Sequence, residues 1–181
     1  MLRICIFLIA LLPVLSACSS IGVGIAPPEE IKSPEMGMIF GNIQASERVI
    51  EVVLREYGKV YIRPFNRPPR VLIYKNGDFM AENLTPGKYI FSSVATANNR
   101  YNLVQKKIDA YQRILTVHPG ELVYIGSFEL FDLHTENRYR ENFKVLRMRK
   151  PDERTIIKRL YDRSMGTGWQ DLFARKLMEL R

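Results

Sequence analysis

Short runs of alternating apolar and polar residues begin at Met36 and continue to about residue 149. A period of two is typical of strands with one buried face. Turn signals separate the runs at Asn76-Gly77, Pro86-Gly87 and Pro119-Gly120. The pattern predicts strands over residues 38–43, 49–54, 60–62, 71–74, 79–81, 88–95, 103–108, 112–117, 121–132 and 138–148. Many short strands with frequent turns predict a mainly β fold, a β-sandwich, over residues 36–149.

Two features make this prediction specific. Asn76-Gly77 follows a β-branched and aromatic run, and it predicts a hairpin with a type I′ turn, in which both central residues have positive φ. The alternation in 121–132 and just beyond it predicts two faces for the longest strand. Its two faces are expected to carry Leu122, Tyr124, Phe128 and Leu130 on one side, and Val123, Ile125, Phe131 and Leu133 on the other.

The hydrophobic period changes to a helical one over residues 150–181. Apolar residues recur three and four positions apart, and the Gly166-Thr167-Gly168 sequence divides the region into an amphipathic helix pair. Thr167 and Gln170 match a capping box at the start of the second helix. The expected apolar stripe of that helix contains Trp169, Leu172, Phe173, Leu177 and Leu180. We expect the stripe to pack on the sheet, with a partner protein as the alternative.

The first residues have a different character. Arg3 precedes an apolar run from Ile4 to Val14, which has the length of the apolar core of a signal peptide and is too short to span a membrane. An aliphatic residue, two small residues and a cysteine follow, in the order Leu15-Ser16-Ala17-Cys18. An ordinary secretory signal, with the cysteine incidental, is the alternative interpretation of these letters.

The sequence Leu15-Ser16-Ala17-Cys18 resembles the lipobox of bacterial lipoproteins. The resemblance implies that 1–17 is a signal peptide and that the chain is cut before Cys18. It also implies that the Cys18 thiol carries diacylglycerol, and that the new amino group carries a fatty acid such as palmitate. Serines rather than an aspartate follow the cysteine, as in lipoproteins destined for the outer membrane. The expected location is therefore the cell envelope, with the chain lipid-anchored in the outer membrane and facing the periplasm.

Residues 18–35 are predicted to be the lipidated cysteine and a flexible linker, because Pro27, Pro28 and Pro34 interrupt a segment without periodicity. Removal of 1–17 also removes Cys5, so no disulfide is expected within the mature chain. The formal net charge of +8 comes from basic residues that are interleaved with acidic ones. We therefore expect no nucleic-acid partner, and favour the membrane, another envelope protein or an anionic envelope polymer.

The stretch from Val71 to Ile125 resembles the transthyretin-like or carboxypeptidase-regulatory-like β modules of envelope lipoproteins. The matching segments are Val71-Leu72-Ile73-Tyr74, Asn76-Gly77, residues 84–89 with Pro86-Gly87, and residues 117–126 with Pro119-Gly120. The match covers about a third of the mature chain. It implies a transthyretin-like sandwich that binds or scaffolds rather than catalyses.

Candidate chemistry in the sequence is sparse. His118 and His134 are far apart, and only Asp132, His134 and Glu136 share the spacing of one strand face. We expect no metal site there, no catalytic residues and no cofactor. The expected function is that of a membrane-anchored envelope lipoprotein acting as a binding or structural module, not an enzyme. The alternative is an accessory lipoprotein of an envelope machine such as a type VI secretion apparatus, and an envelope hydrolase has least support.

Overall fold

The computed structural model describes residues 27–61, 67–103, 114–132 and 143–181. These residues form nine strands and two helices, which confirms the prediction of a mainly β fold with a C-terminal helix pair. The strands are β1 (Gly37–Ala45), β2 (Val49–Glu56), β3 (Val71–Ile73), β4 (Asp78–Leu84), β5 (Gly87–Thr96), β6 (Arg100–Asn102), β7 (Leu115–Val117), β8 (Leu122–Asp132) and β9 (Phe143–Met148). The helices are α1 (Glu153–Arg163) and α2 (Gly168–Glu179).

The strands form two sheets. The first has the order β3-β4-β1-β8-β9, with β1 and β8 parallel and the other neighbours antiparallel. The second has the order β2-β5-β6, and β7 also pairs with β5. The sheets share one hydrophobic cluster, in which the ring centroids of Phe79 and Phe91 are 5.5 Å apart. The likeness to transthyretin within this two-sheet arrangement stays a prediction.

The hairpin predicted at Asn76-Gly77 is confirmed, since β3 and β4 pair as antiparallel neighbours around it. Its turn is not type I′, because Gly77 has φ +81° whereas Asn76 has no positive φ. The Gly77 N–H instead donates to the Tyr74 carbonyl at 2.9 Å. This pattern is typical of a three-residue loop closed by a left-handed glycine. A Cβ on Gly77 would lie 2.4 Å from the Ile43 carbonyl oxygen, so the position also has no room for a side chain.

A bulge in β8 changes which residues share a face. β8 has one more residue than β1 between two consecutive paired positions, and Gly126 lies there with φ +116°. Tyr124 consequently packs toward the helices, whereas Phe128 and Leu130 belong to the cluster shared by the sheets. The predicted single face for these three residues is therefore wrong, because one inserted residue reverses the alternation that follows it. A Cβ on Gly41 of β1 would lie 2.7 Å from the Gly126 carbonyl oxygen, so the close approach needs a glycine.

The helix pair covers the other face of the first sheet, as predicted. A second cluster joins apolar residues of both helices to β1, β3 and β4 and buries Trp169 and Phe173 completely. The Phe173 ring meets the Phe40 ring edge to face at 6.1 Å between centroids. The expectation that the stripe packs on the sheet is thus confirmed. Within the described residues, no helix has both the length and the apolar character needed to cross a membrane.

The strand predicted at residues 60–62 does not form at Val60 or Tyr61, and Ile62 lies outside the described residues. Gly58 has φ +78°, and the Lys59 N–H donates to the Glu56 carbonyl at 3.2 Å. This turn ends β2 and directs the following residues away from the ladder.

Candidate functional site

The residues singled out in the sequence are mostly outside the part of the chain that the structure describes. Cys18 precedes it, and His134 and Glu136 fall between β8 and β9, beyond Asp132. His118 is exposed beside the turn before β8. No group of three or more His, Cys, Asp or Glu side chains in the described ranges is arranged to hold a metal ion.

The predicted linker is where the structure differs most from expectation. Residues 28–32, here called the N-terminal segment, pack against the fold instead of standing free of it. The Glu29 N–H donates to the Glu82 carboxylate at 2.9 Å, and the Trp169 indole N–H donates to the Glu29 carbonyl at 2.9 Å. Pro28 is buried, and Ile31 packs against the helix-facing cluster. The linker prediction is therefore wrong for residues 28–32.

The N-terminal segment also supplies the hydrogen bond that caps the start of α2. Thr167 is the cap residue, as predicted, but its hydroxyl donates to the Ser164 carbonyl and makes no cap hydrogen bond. The Glu30 carboxylate accepts the Gly168 N–H at 2.8 Å instead. A negative charge at this helix end is stabilised by the unpaired N–H groups and by the helix dipole. The predicted pairing of Thr167 with Gln170 is replaced by a contact across 138 positions.

Asn83 at the end of β4 fixes the same segment through both ends of its side-chain amide. Its amide nitrogen donates to the Glu30 carbonyl at 3.2 Å, and its amide oxygen accepts the Lys32 N–H at 2.9 Å. Asn83 has φ +54°, in the left-handed region that asparagine tolerates better than most residues. Two long-range bonds from one strained residue indicate that the segment is a specific part of the fold.

Glu82 is the buried acid of this site. Its side chain is 2% exposed, and one carboxylate oxygen accepts the Glu29 N–H. The other oxygen lies 3.4 Å from an Arg70 nitrogen, but it makes no hydrogen bond with the described residues. Burial raises the pKa of Glu82 above its usual range, and the Glu29 N–H and Arg70 offset part of this effect. A cleft of about 250 Å³ adjoins Glu82, Arg70, Glu29 and Lys32.

A pH-dependent stability follows from Glu82. Because its pKa is raised on folding, the folded chain binds more protons at this site than the unfolded chain above the ordinary value of 4.5. The Glu82 contribution to the free energy of unfolding therefore falls as pH rises through that window. We expect the free energy of unfolding of Glu82→Gln to increase relative to that of wild type as the pH rises from 4.5 to neutral, measured by urea unfolding.

Glu29→Gln is the matched control for this pH dependence. Hydrogen bonds from Lys32 and Arg70 hold the pKa of Glu29 below its usual range, so its contribution to stability is lost as pH falls. The free energy of unfolding of Glu29→Gln should therefore decrease relative to that of wild type as pH rises. A pH trend of the same sign in both variants would contradict the assignment of the raised pKa to Glu82.

A second buried carboxylate, Asp78, joins helix α1 to the β3–β4 hairpin. It is fully buried, and it accepts hydrogen bonds from Asn42 at 2.8 Å, from Arg159 at 3.3 Å and from Arg163 at 3.2 Å. Asn76 in the turn also donates to it. A buried charge with this many donors is compensated, which is what keeps it tolerable in a protein interior.

Arg163 makes a further contact in the same cluster. Its guanidinium carbon lies 4.1 Å from the centre of the Tyr74 ring, within the range of a cation–π interaction. Burial raises the pKa of Tyr74 to about 12, although the positive charge of Arg163 opposes this. A neutral Tyr74 therefore packs against the guanidinium of Arg163, which is also paired with Asp78. These contacts hold helix α1 against the β3–β4 hairpin.

Both acids were missed in the sequence because their partners are distant along the chain. Asp78 pairs with residues 81 and 85 positions away, and Glu82 meets residue 29 from 53 positions away. The available signal was the spacing of Arg159 and Arg163, which lie four positions apart on one helix face.

Comparison of the chain with protein-family models, with curated proteins and with solved structures finds no match.

Proposed function

We propose that this chain is a bacterial envelope lipoprotein, held on a membrane through acylated Cys18, whose folded part binds or scaffolds other envelope components. The observation that carries the proposal is the sequence Leu15-Ser16-Ala17-Cys18 directly after the apolar run from Ile4 to Val14. Several acyl chains on one cysteine hold a protein firmly on a bilayer, whereas one chain binds reversibly.

The described residues support a non-catalytic role. The buried acids Glu82 and Asp78 are occupied in holding the N-terminal segment and helix α1 in place. Each contact joins elements that are far apart in sequence, so these groups stabilise tertiary structure. The function proposed for the folded part is therefore binding through its outer surface.

Mass spectrometry of the membrane-extracted protein tests the proposal. The mature chain is expected to begin at Cys18 and to carry the mass of diacylglycerol on the thiol and of a fatty acid on the amino group. An unmodified N-terminal peptide beginning at or after Cys18 would contradict lipidation. A chain that retains residues 1–17 would contradict cleavage.

The alternative, an accessory subunit of an envelope machine such as a type VI secretion apparatus, is favoured by one observation. Strand β9 is the last strand of the first sheet among the described strands, and Phe131, Leu146 and Met148 nearby are between 39% and 50% exposed. Exposed apolar residues beside a sheet edge are typical of a protein-binding surface. Crosslinking in cells from a photoreactive residue at position 146 distinguishes the two functions, since a machine subunit would capture components of its machine.

A further inference from the structure

The docked N-terminal segment determines which end of the fold lies near the anchor. Pro28, ten positions after Cys18, is the first buried residue of this segment among the described residues. Ten residues span at most about 36 Å when fully extended. A folded domain of this length has a diameter of roughly 40 Å. If Cys18 is anchored in a bilayer, the end of the fold opposite Pro28 is therefore held away from the bilayer, whereas the elements around Pro28 can reach it.

The turn after β2 lies at this end of the molecule. Glu56, the last residue of β2, lines the same cleft as Glu29 and Lys32 of the N-terminal segment. The Tyr57 N–H donates to the Lys88 carbonyl at 2.7 Å, which ties the turn to the start of β5. Residues 57–60, here called the β2 turn, therefore begin beside the cleft that the N-terminal segment also lines.

The β2 turn has the composition of a membrane-interface contact. Tyr57 is 57% exposed and Val60 is 73% exposed. Lys59 and Lys88 are exposed beside them, and Lys59 forms an ion pair with Glu56 at 2.7 Å. Tyrosine and lysine both combine an apolar body with a polar tip, so they suit the headgroup region of a bilayer. Basic residues there are also attracted to anionic lipids.

We propose that the β2 turn is a second, non-covalent membrane contact, in which Tyr57 and Val60 enter the headgroup region of an anionic bilayer. The inference rests on the proposed acylation of Cys18, which brings this end of the fold to the lipid. The contact sets the orientation of the domain. The β1–β2 turn, at the opposite end of β2, faces away from the membrane.

Strand β2 offers a matched pair of positions for the test. Ile50 at its start is 55% exposed and Tyr57 just after its end is 57% exposed. Seven residues of strand separate the two positions by about 23 Å. Because acylation consumes the Cys18 thiol and cleavage removes Cys5, Tyr57→Cys and Ile50→Cys each give the mature lipoprotein one free thiol.

Each variant is labelled with an environment-sensitive fluorophore and reconstituted in vesicles of phosphatidylcholine and phosphatidylglycerol. We expect the label at position 57 to shift its emission to the blue, and to be quenched severalfold by spin-labelled lipid. The label at position 50 should keep an aqueous emission and resist that quencher.

Flotation of the vesicles separates the two proposals. Protein that floats with the vesicles but gives the same emission at positions 50 and 57 would overturn the membrane contact and leave the anchor in place. Protein that does not float would overturn the anchor itself. A third variant, Val60→Cys, should report the same insertion as position 57, and an aqueous emission there would also overturn the contact.

Discussion

Replacing Cys18 by alanine is expected to abolish acylation and to release the protein from the membrane fraction, while leaving the fold unchanged. The thiol is the attachment point of the proposed diacylglycerol, and each buried methylene contributes about 0.8 kcal/mol to membrane binding. Loss of every acyl chain removes far more membrane-binding free energy than the β2 turn contributes. The fold is unaffected because Cys18 lies ten positions before Pro28, where the described contacts begin.

The measurement is incorporation of labelled palmitate, together with the division of the protein between soluble and membrane fractions. Cys5→Ala is the matched control, because Cys5 lies inside the apolar run and outside the lipobox. It should be acylated as wild type is. Labelled fatty acid on the Cys18→Ala protein would be incompatible with the proposed anchor, and loss of β structure by circular dichroism would contradict the independence of anchor and fold.

Local patterns were sufficient to predict most elements of the fold. The alternating runs located eight of the nine described strands at least in part, and the helical period located α1 and α2. They succeeded because each signal is local: a period of two or of 3.6, and a turn chemistry that interrupts it. The strand predicted at residues 60–62 failed because Gly58 ends β2 in a turn.

The bulge at Gly126 could not be predicted from local sequence patterns. Uninterrupted alternation predicted one face for Tyr124 and Phe128, but the position of an inserted residue depends on the neighbouring strand. Here Gly41 of β1 approaches the Gly126 carbonyl so closely that a Cβ would lie 2.7 Å from it. That constraint exists only once β1 and β8 are paired.

The candidate site was predicted least well, and composition explains why. Three prolines and no periodicity in residues 18–35 are typical of a linker. The hydrogen bonds that fix residues 28–32 include two with Asn83 and one each with Glu82, Gly168 and Trp169. None of these bonds leaves a periodic pattern in the sequence. A lone apolar residue, Ile31, between charged neighbours was the one signal of packing.

The same contacts make Trp169 the side chain whose loss should cost most stability. It is completely buried among residues of both helices and the first sheet. Removing a buried large aromatic side chain typically costs about 3–5 kcal/mol in free energy of unfolding. We expect Trp169→Ala to fall in that range, measured by urea unfolding with circular dichroism as the probe. Met178→Ala, on the same helix but with its side chain 60% exposed, is the control and should change little.

Trp169→Phe separates packing from the hydrogen bond to the N-terminal segment. Phenylalanine keeps most of the buried ring but lacks the N–H that donates to the Glu29 carbonyl at 2.9 Å. The lost bond should cost about 0.5–1.5 kcal/mol in free energy of unfolding, the usual net contribution of one hydrogen bond. Both variants should expose residues 28–32 to protease before the domain unfolds, whereas Met178→Ala should not. If Trp169→Ala cost less than about 1 kcal/mol, or if wild-type tryptophan emission were red and freely quenched, Trp169 would not be the buried link between the helices and the N-terminal segment.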